Sequence, residues 1–204
     1  MKYLVFWIAF LNKTMRHLIK LIIPYFLVFS FILFYIMFFG TAQVSGSSMN
    51  PTIENDDLLI VRKSKDVEIN DIVMIYSEER GHLLCKRVIG VAGDHIVIKD
   101  GKLYRNDELI HEDYIKEQNW VCEDIDLVVE DNKVFVLGDN RNNSYDSRNL
   151  GCLSVNDIYG KLAINVSSIV GLSYTHIVLI LLVCFIISII FCIVRKYTQE
   201  NKEV

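Results

Sequence analysis

The chain has 204 residues, 52% of them hydrophobic, and a formal net charge of −4 at neutral pH. This length fits one modest globular domain with accessory segments. The acidic residues are concentrated in the middle, where residues 41–170 carry 14 lysines and arginines against 23 aspartates and glutamates. An acidic domain of this kind is a poor candidate for nucleic-acid binding, so no nucleic-acid partner is expected.

Two apolar runs without charges occupy residues 21–40 and 177–194. Each is long enough to cross a hydrocarbon layer of roughly 30 Å as an α-helix. Neither shows the polar stripe of a buried core helix, which is the alternative. Both are therefore predicted to be transmembrane helices. Because the first run leads directly into a serine motif at residues 46–52, an uncleaved anchor is favoured over a cleaved signal peptide.

Basic residues stand outside both apolar runs, with Lys13, Arg16 and Lys20 before the first and Arg195 and Lys196 after the second. By the positive-inside rule, both termini are expected in the cytoplasm. The predicted order is a cytoplasmic or interfacial N-terminus, a span, an extracytoplasmic domain, a linker with the second span, and a cytoplasmic tail. The bounds are 1–20, 21–40, 41–168, 169–194 (span 177–194) and 195–204.

Between residues 44 and 165 the pattern is mostly that of β-strands, with short β-rich runs separated by Gly, Asn and Asp. The runs are residues 57–62, 71–76, 82–90, 95–98 and 133–137. Asp100 and Gly101 are typical of a hairpin turn. Residues 111–132 are acidic and less patterned, which predicts an excursion or loop. Helix outside the spans is limited to one turn near residues 154–158, so the predicted class is mainly β.

Three of the five cysteines lie in the predicted extracytoplasmic domain: Cys85, Cys122 and Cys152. A bridge between Cys122 and Cys152 is one alternative, but their spacing does not require it. No Cys or His pair has the spacing of a zinc site, so no metal is expected.

Three segments of this domain contain residues suited to chemistry. The first is 46–52 (GSSMNPT), which by itself could be a simple turn. The second is 86–94 (KRVIGVAGD), which starts with a lysine in an apolar strand. An unpaired buried ammonium is costly, although an edge lysine can keep its charge in water. The third is 138–148 (GDNRNNSYDSR), which alone is typical of a polar loop with ion pairs.

In this order, after an apolar anchor, the three motifs resemble those of the bacterial type I signal peptidases, serine–lysine endopeptidases that remove signal peptides from exported preproteins. The resemblance covers residues 21 to about 165. It implies a compact signal-peptidase-like β catalytic domain in the bacterial plasma membrane with an extracytoplasmic active site. The two apolar runs predict that this domain is flanked by two transmembrane α-helices. The resemblance implies no cofactor. The partners it implies are preprotein signal peptides, the lipid bilayer and a Sec-type export machinery.

Residue by residue, the resemblance implies that Ser48 is the nucleophile and Lys86 the general base. Ser144 matches a hydroxyl that orients the lysine, while Asp146 and Arg148 match a supporting ion pair. Signal peptides carry small residues one and three positions before the cut, which shallow apolar pockets can select. The positions that match these pockets, each of which could equally be ordinary core, are Val44, Met49, Ile53, Leu84 and Cys85.

The chemistry of the pair agrees with these roles. A serine hydroxyl attacks a carbonyl only when a base removes its proton, and lysine with its usual pKa of about 10.4 is protonated at neutral pH. An apolar setting lowers that pKa, and a drop to roughly 8 requires about 3 kcal/mol. The N–H of Ser48 is the expected oxyanion donor. Because Gly46 stands where some members have a serine, the second donor is left open among Ser47, Ser45 and another backbone N–H.

Ala92 and Ser154 stand at scaffold positions where the family often has proline, and a second span is unusual for the bacterial type. The span favours a specialised member with few substrates. Two other functions were weighed. A self-cleaving repressor-type protease would need a DNA-binding headpiece and a cytoplasmic location. A non-catalytic module that binds extended peptides is disfavoured by the intact Ser48, Lys86 and Ser144.

Overall fold

The computed structural model describes residues 15, 22–23, 25–117, 119–170, 179, 182–183 and 186. The chain divides into two compact units, with the boundary between Gly40 and Thr41. The predicted N-terminal segment 1–20 (except residue 15), most of the second span 177–194 and the tail 195–204 lie outside the described residues.

The first unit is helical over residues 25–38. Its apolar side chains are exposed on successive positions around the helix; for example, Phe26, Phe31 and Met37 are 65%, 68% and 69% exposed. The helix ends at Phe38, and the next residues adopt an extended backbone and form strand β1. The predicted span 21–40 is therefore too long at its C-terminal end. Within the described residues, no helix is both long enough and apolar enough to cross a membrane.

The remaining described residues are mainly strands, which confirms the predicted fold class in its β part. The strands are β1 (Phe39–Gln43), β2 (Leu58–Arg62), β3 (Ile72–Ser77), β4 (His82–Val91), β5 (His95–Lys99), β6 (Lys102–Arg105), β7 (Glu108–Leu109), β8 (Ile125–Val128), β9 (Lys133–Leu137), β10 (Leu153–Ser154) and β11 (Ile158–Asn165). Short α-helices occupy Ser147–Leu150 and Val166–Val170, and 3₁₀ turns occupy Arg141–Asn143 and Val155–Asp157.

The strands form a seven-stranded sheet in the order β1-β2-β11-β3-β4-β9-β10 and a four-stranded sheet in the order β7-β6-β5-β8. All five strand runs predicted from the sequence are present, and the helical turn predicted near residues 154–158 is the 3₁₀ turn. Strands β1, β7, β8, β10 and β11 and the short helices Ser147–Leu150 and Val166–Val170 were not predicted. The sequence of β8, Ile-Asp-Leu-Val, alternates over only four residues inside an acidic segment. The rest of that segment is irregular, as predicted.

The long strand β4 changes neighbours along its length. Its first half pairs with β3, where Lys86 lies opposite Val73 and Cys85 opposite Met74. Pairing with β9 begins only at Arg87, which lies opposite Leu137, the last residue of β9. The outer edge of residues 82–86 is therefore not covered by β9. Lys86 therefore lies beside the end of β9, where the third sequence motif (residues 138–148) begins.

Apolar side chains on both faces of the large sheet are buried. One face packs Val73, Ile75, Val88, Val136 and Ile158 together, each at most 2% exposed. The other face is covered by the segment that follows β1, which contributes two buried residues, Met49 and Ile53. This segment carries Ser48, so the core beneath it fixes the serine motif onto the sheet.

The turn between β5 and β6 has the predicted hairpin form. Asp100 and Gly101 have φ of 50° and 68°, and Lys99 pairs directly with Lys102. Positive φ at both central residues is the signature of a type I′ turn. A Cβ on Gly101 would overlap the carbonyl oxygen of Trp120, whereas Gly81, in the β3–β4 turn, has the same φ of 68° and no atom within 4 Å of the corresponding position.

We predict that Gly101→Ala lowers the free energy of unfolding by more than about 2 kcal/mol, because it adds a backbone clash to the strain of a positive φ. Gly81→Ala is the matched control and should cost about 1 kcal/mol, from the strain alone. Denaturant unfolding of the two variants measures both values. Equal losses would contradict the close approach of Trp120 to the turn.

Candidate active site

The predicted pair is in direct contact. Ser48 lies in the turn that follows β1, and Lys86 lies in β4, 38 residues later in the chain. The Nζ atom of Lys86 is 2.8 Å from Ser48 Oγ and 2.9 Å from the carbonyl oxygen of Cys85. The first distance permits a hydrogen bond in either direction, depending on which atom carries the proton. A proton can therefore pass directly between the hydroxyl and the amine.

Lys86 is 3% exposed. Burial lowers the pKa of its amine below the usual 10.5, since the ammonium form loses its hydration. Cys85, Asp146 and Asp139 act against this shift, and Arg148 acts in the same direction. Burial also raises the pKa of the neighbouring Cys85 thiol to about 12. That thiol stays neutral near pH 7 and so supplies no negative charge to the lysine.

The loop that follows β9 forms hydrogen bonds to the backbone of the turn that carries Ser47 and Ser48, which we call the serine turn. The N–H of Asn140 donates to the Ser48 carbonyl oxygen at 3.0 Å. The Asn140 side-chain amide donates to the Ser47 carbonyl oxygen at 3.0 Å, and Asn143 Nδ2 donates to Ser47 Oγ at 3.0 Å. These bonds fix the position of Ser48 relative to the end of β9, and therefore relative to Lys86.

A buried ion pair makes a second connection between the three motifs. Arg87 donates to both carboxylate oxygens of Asp139, with distances of 2.9 and 2.6 Å. Thr52 Oγ1 donates to the same carboxylate at 2.5 Å. Sequence reasoning assigned no role to Thr52, Arg87 and Asp139. The sequence contains a signal for this contact, because the hydroxyl, the base and the acid each lie in a different one of the three motifs.

The predicted support pair Asp146 and Arg148 is present behind this loop. Arg148 Nε and Nη2 donate to the two oxygens of Asp146 at 2.8 and 2.9 Å. Asp146 also accepts from the Gly138 N–H at 2.9 Å, and it caps the helix Ser147–Leu150 by accepting from the Arg148 N–H. The carboxylate thus connects the first residue of the loop to the helix that ends it.

Ser144 differs from its predicted geometry. Its Oγ is buried and has no hydrogen-bond partner among the described residues, so the predicted bond to Lys86 is not formed. The lysine amine donates to Ser48 Oγ and to the Cys85 carbonyl oxygen. Ser144 instead packs against Gly138, where an added Cβ would overlap both the Ser144 hydroxyl and the Ser48 carbonyl oxygen.

A cleft of about 670 Å³ opens beside the pair. It runs between residues 41–45 and residues 82–86, and its lining includes both Ser48 and Lys86. The predicted pocket residues that line it are Val44, Met49, Leu84 and Cys85. The fifth, Ile53, does not line it: this residue is 1% exposed and packs in the core with Met49 and Leu59. Met74, which was not predicted, also lines the cleft.

The cysteines of the described region are free thiols, and Cys122 does not pair with Cys152. Among the described residues, no cluster of three or more His, Cys, Asp or Glu side chains could hold a metal ion.

Comparison with known proteins identifies the family. The profile of the family described as signal peptidase, peptidase S26, matches residues 15–167. Signal peptidase I U of Bacillus subtilis (strain 168) is 36% identical over 138 residues, covering 61% of this chain and 74% of that protein. Signal peptidase I P of Bacillus subtilis subsp. natto is 40% identical over 131 residues, covering 57% and 71%.

A solved structure is also similar. The crystal structure of a signal peptidase I from Enterococcus faecalis V583 has 30% sequence identity and a TM-score of 0.43, covering 48% of this chain and 97% of that one. The family profile alone matches well over half of the chain. The chain therefore belongs to the signal peptidase family, peptidase S26, among the bacterial type I signal peptidases.

Proposed function

We propose that this protein is a membrane-bound serine endopeptidase that cleaves N-terminal signal peptides from exported preproteins, with Ser48 as nucleophile and Lys86 as general base. The observation that carries the proposal is the 2.8 Å contact between Lys86 Nζ and Ser48 Oγ, made by a buried amine in a chain of this family. Serine–lysine pairs are an established variant of serine-protease chemistry.

The reaction proceeds in two halves. Neutral Lys86 removes the Ser48 proton as Oγ attacks the scissile carbonyl, and the resulting ammonium then protonates the leaving amine. Water, deprotonated by Lys86, then attacks the acyl-enzyme carbonyl. The ester bond to Ser48 Oγ breaks, the Lys86 ammonium returns the proton to that oxygen, and the signal peptide is released with its new carboxyl terminus. Because the base must be neutral, activity is lost as the pH falls through the pKa of Lys86. Burial moves that loss to lower pH, since it lowers the pKa.

The oxyanion of the tetrahedral intermediate needs hydrogen-bond donors. We assign the Ser48 N–H as the first and a hydroxyl, of Ser47 or of Ser45, as the second; of these two residues, Ser45 lines the cleft. Ser47 Oγ accepts a hydrogen bond from Asn143, which leaves its own proton available. The Gly46 N–H is not available, because it donates to Asn55 Oδ1 at 2.8 Å. This choice narrows the alternatives that the sequence left open.

Ser144, Asp146 and Arg148 are proposed to support the pair. The Ser144 hydroxyl, buried and without a partner in the described part of the chain, can exchange hydrogen bonds with the lysine during proton transfer. Its location against Gly138 and next to the Ser48 carbonyl supports that role. Asp146 and Arg148 keep Gly138 in position through the bond from its N–H.

The signal peptide is proposed to bind extended in the cleft, between residues 41–45 and the free edge of residues 82–86. Strand addition of this kind takes affinity from main-chain hydrogen bonds and reads only alternate side chains. The apolar cleft residues Val44, Met49 and Leu84 leave shallow space, which suits the small residues at positions −1 and −3 of the cut.

Membrane attachment is proposed from the sequence, through residues 21–40 and 177–194, with both termini cytoplasmic and the active site outside. The exposed apolar surface of helical residues 25–38 supports the first anchor, since water does not stabilise such a surface. Ser48 follows Phe38 by ten residues in the chain. The bilayer and a Sec-type export machinery are the corresponding partners, because a cleavage site emerges at the membrane surface.

We predict that Ser48→Ala and Lys86→Met each abolish processing of a preprotein while the protein stays folded. Methionine keeps most of the buried volume of lysine and removes the base. Lys133→Met is the matched control, since Lys133 forms an exposed ion pair with Glu130. Conversion of preprotein to mature protein on a gel measures the effect. Normal processing by either active-site variant would contradict the proposal.

We also predict that Gly138→Ala lowers kcat by about 100-fold or more, because the new methyl group must displace Ser144 or the Ser48 backbone, and small displacements at a reacting centre are costly. Gly93→Ala is the control: no atom lies within 4 Å of its Cβ position, so it adds the strain of a φ of 89° without displacing Ser144 or Ser48, and it should keep kcat near the wild-type value. Steady-state kinetics on a signal-peptide substrate separate the two. An unchanged kcat for Gly138→Ala would show that this packing is irrelevant to turnover.

A further inference from the structure

The small four-stranded sheet contributes no residue to the cleft or to the Ser48–Lys86 pair. The segment that follows β7 nevertheless contacts residues 138–148, which we call the active-site loop. We name this segment, residues 110–117, the strap. Its start is tied to the small sheet by the Ile110 N–H, which donates to the Leu103 carbonyl oxygen at 2.9 Å. Ile115, 8% exposed, packs into the core of the small sheet. The strap is therefore anchored at both ends of its buried stretch.

Glu112 of the strap has a buried carboxylate that forms an ion pair with Arg141 of the active-site loop. The residue is 8% exposed, and Arg141 donates to both of its oxygens, from Nη1 at 2.7 Å and from Nη2 at 2.5 Å. Arg141, itself 2% exposed, donates from Nε to the Gly138 carbonyl oxygen at 3.1 Å. Glu112 thus acts through Arg141 on Gly138, the residue that packs against both Ser144 and the Ser48 carbonyl.

Tyr114 connects the same carboxylate to the other side of the loop. Its hydroxyl donates to Glu112 Oε1 at 2.7 Å, and its ring lies 3.9 Å from the guanidinium carbon of Arg87. Arg87 holds Asp139, and Asp139 accepts from Thr52 in the serine turn. The Lys116 N–H also donates to the Asp139 carbonyl oxygen at 3.0 Å. The strap therefore contacts Asp139 directly and acts on Gly138 through Arg141.

We propose that Glu112 and Tyr114 are positioning residues for signal-peptide cleavage, which set the location of Gly138 and Asp139 and thereby the alignment of Ser48 with Lys86. This inference rests on the proposed function. Neither residue lines the cleft, so their loss should leave substrate binding intact. Misalignment of the pair should reduce the rate of the chemical step, because proton transfer and attack depend steeply on distance.

A buried ion pair also affects folding, so the test separates alignment from stability. Glu112→Gln leaves Arg141 as a buried cation without its counter-charge, which is destabilising. The double variant Glu112→Gln/Arg141→Met removes both charges and should recover the unfolding midpoint of the wild type. It does not recover the connection from the strap to Gly138. A purely structural role predicts that activity returns with stability in this double variant, and a positioning role predicts that it does not.

The experiment measures kcat, KM and the unfolding midpoint of the full chain in detergent on a signal-peptide substrate. We expect Glu112→Gln and the double variant to lower kcat by about tenfold or more with KM within about twofold. Tyr114→Phe, which removes only the hydroxyl, should lower kcat by a few-fold in a fully folded protein. Glu130→Gln is the matched control, because Glu130 pairs with Lys133 at the surface, and it should change neither constant.

A wild-type kcat in the double variant, or a rise in KM with kcat unchanged, would overturn the positioning role. Either result leaves the proposed function intact as long as wild-type protein cleaves the substrate and Ser48→Ala does not. If the wild-type protein itself fails to cleave, it is the proposed function that fails. The two hypotheses therefore have different signatures in the same set of variants.

Discussion

The arrangement depends on keeping one lysine amine out of water and in contact with one serine hydroxyl. Burial disfavours the ammonium, and the charges around Lys86 do not reverse that effect. The two carboxylates that act against it, Asp146 and Asp139, are each bound to an arginine of their own, Arg148 and Arg87. The thiol of Cys85 stays neutral. The amine is left without a dedicated counter-ion, which is the condition under which a lysine serves as a base.

This constraint explains why the loop after β9 forms so many hydrogen bonds and ion pairs. The loop begins beside Lys86, because β9 ends opposite Arg87, and it must also hold a serine that comes from the other end of the sheet. Hydrogen bonds from Asn140 fix the serine backbone, and the Asp139 carboxylate fixes Thr52. Gly138 allows the close approach of Ser144 and the Ser48 carbonyl oxygen, since any side chain there would occupy the same space.

Much of this could be predicted from local sequence. Alternating runs with Gly and Asn between them predicted the main strands, and Asp-Gly predicted the hairpin turn. The start of β1 was hidden because its first residues continue an apolar run, and Ile53 was assigned to a pocket because a core residue and a pocket residue have the same chemistry. The bond from Arg141 to Glu112 spans 29 residues, and no local pattern indicates such a partner. Long-range ion pairs of this kind are set by the packing of the two sheets.

The central claim is that burial lowers the pKa of Lys86 and so favours the neutral amine that acts as base, and its own titration tests this most directly. In protein labelled with ¹³C at lysine, the Cε signal of Lys86 is the one missing from the spectrum of Lys86→Met. Following that signal with pH in folded protein gives the pKa without reference to catalysis. The account predicts a midpoint clearly below the usual 10.5. A midpoint at or above 10.5 would mean that burial does not favour the neutral amine, which contradicts the account of Lys86 as the base.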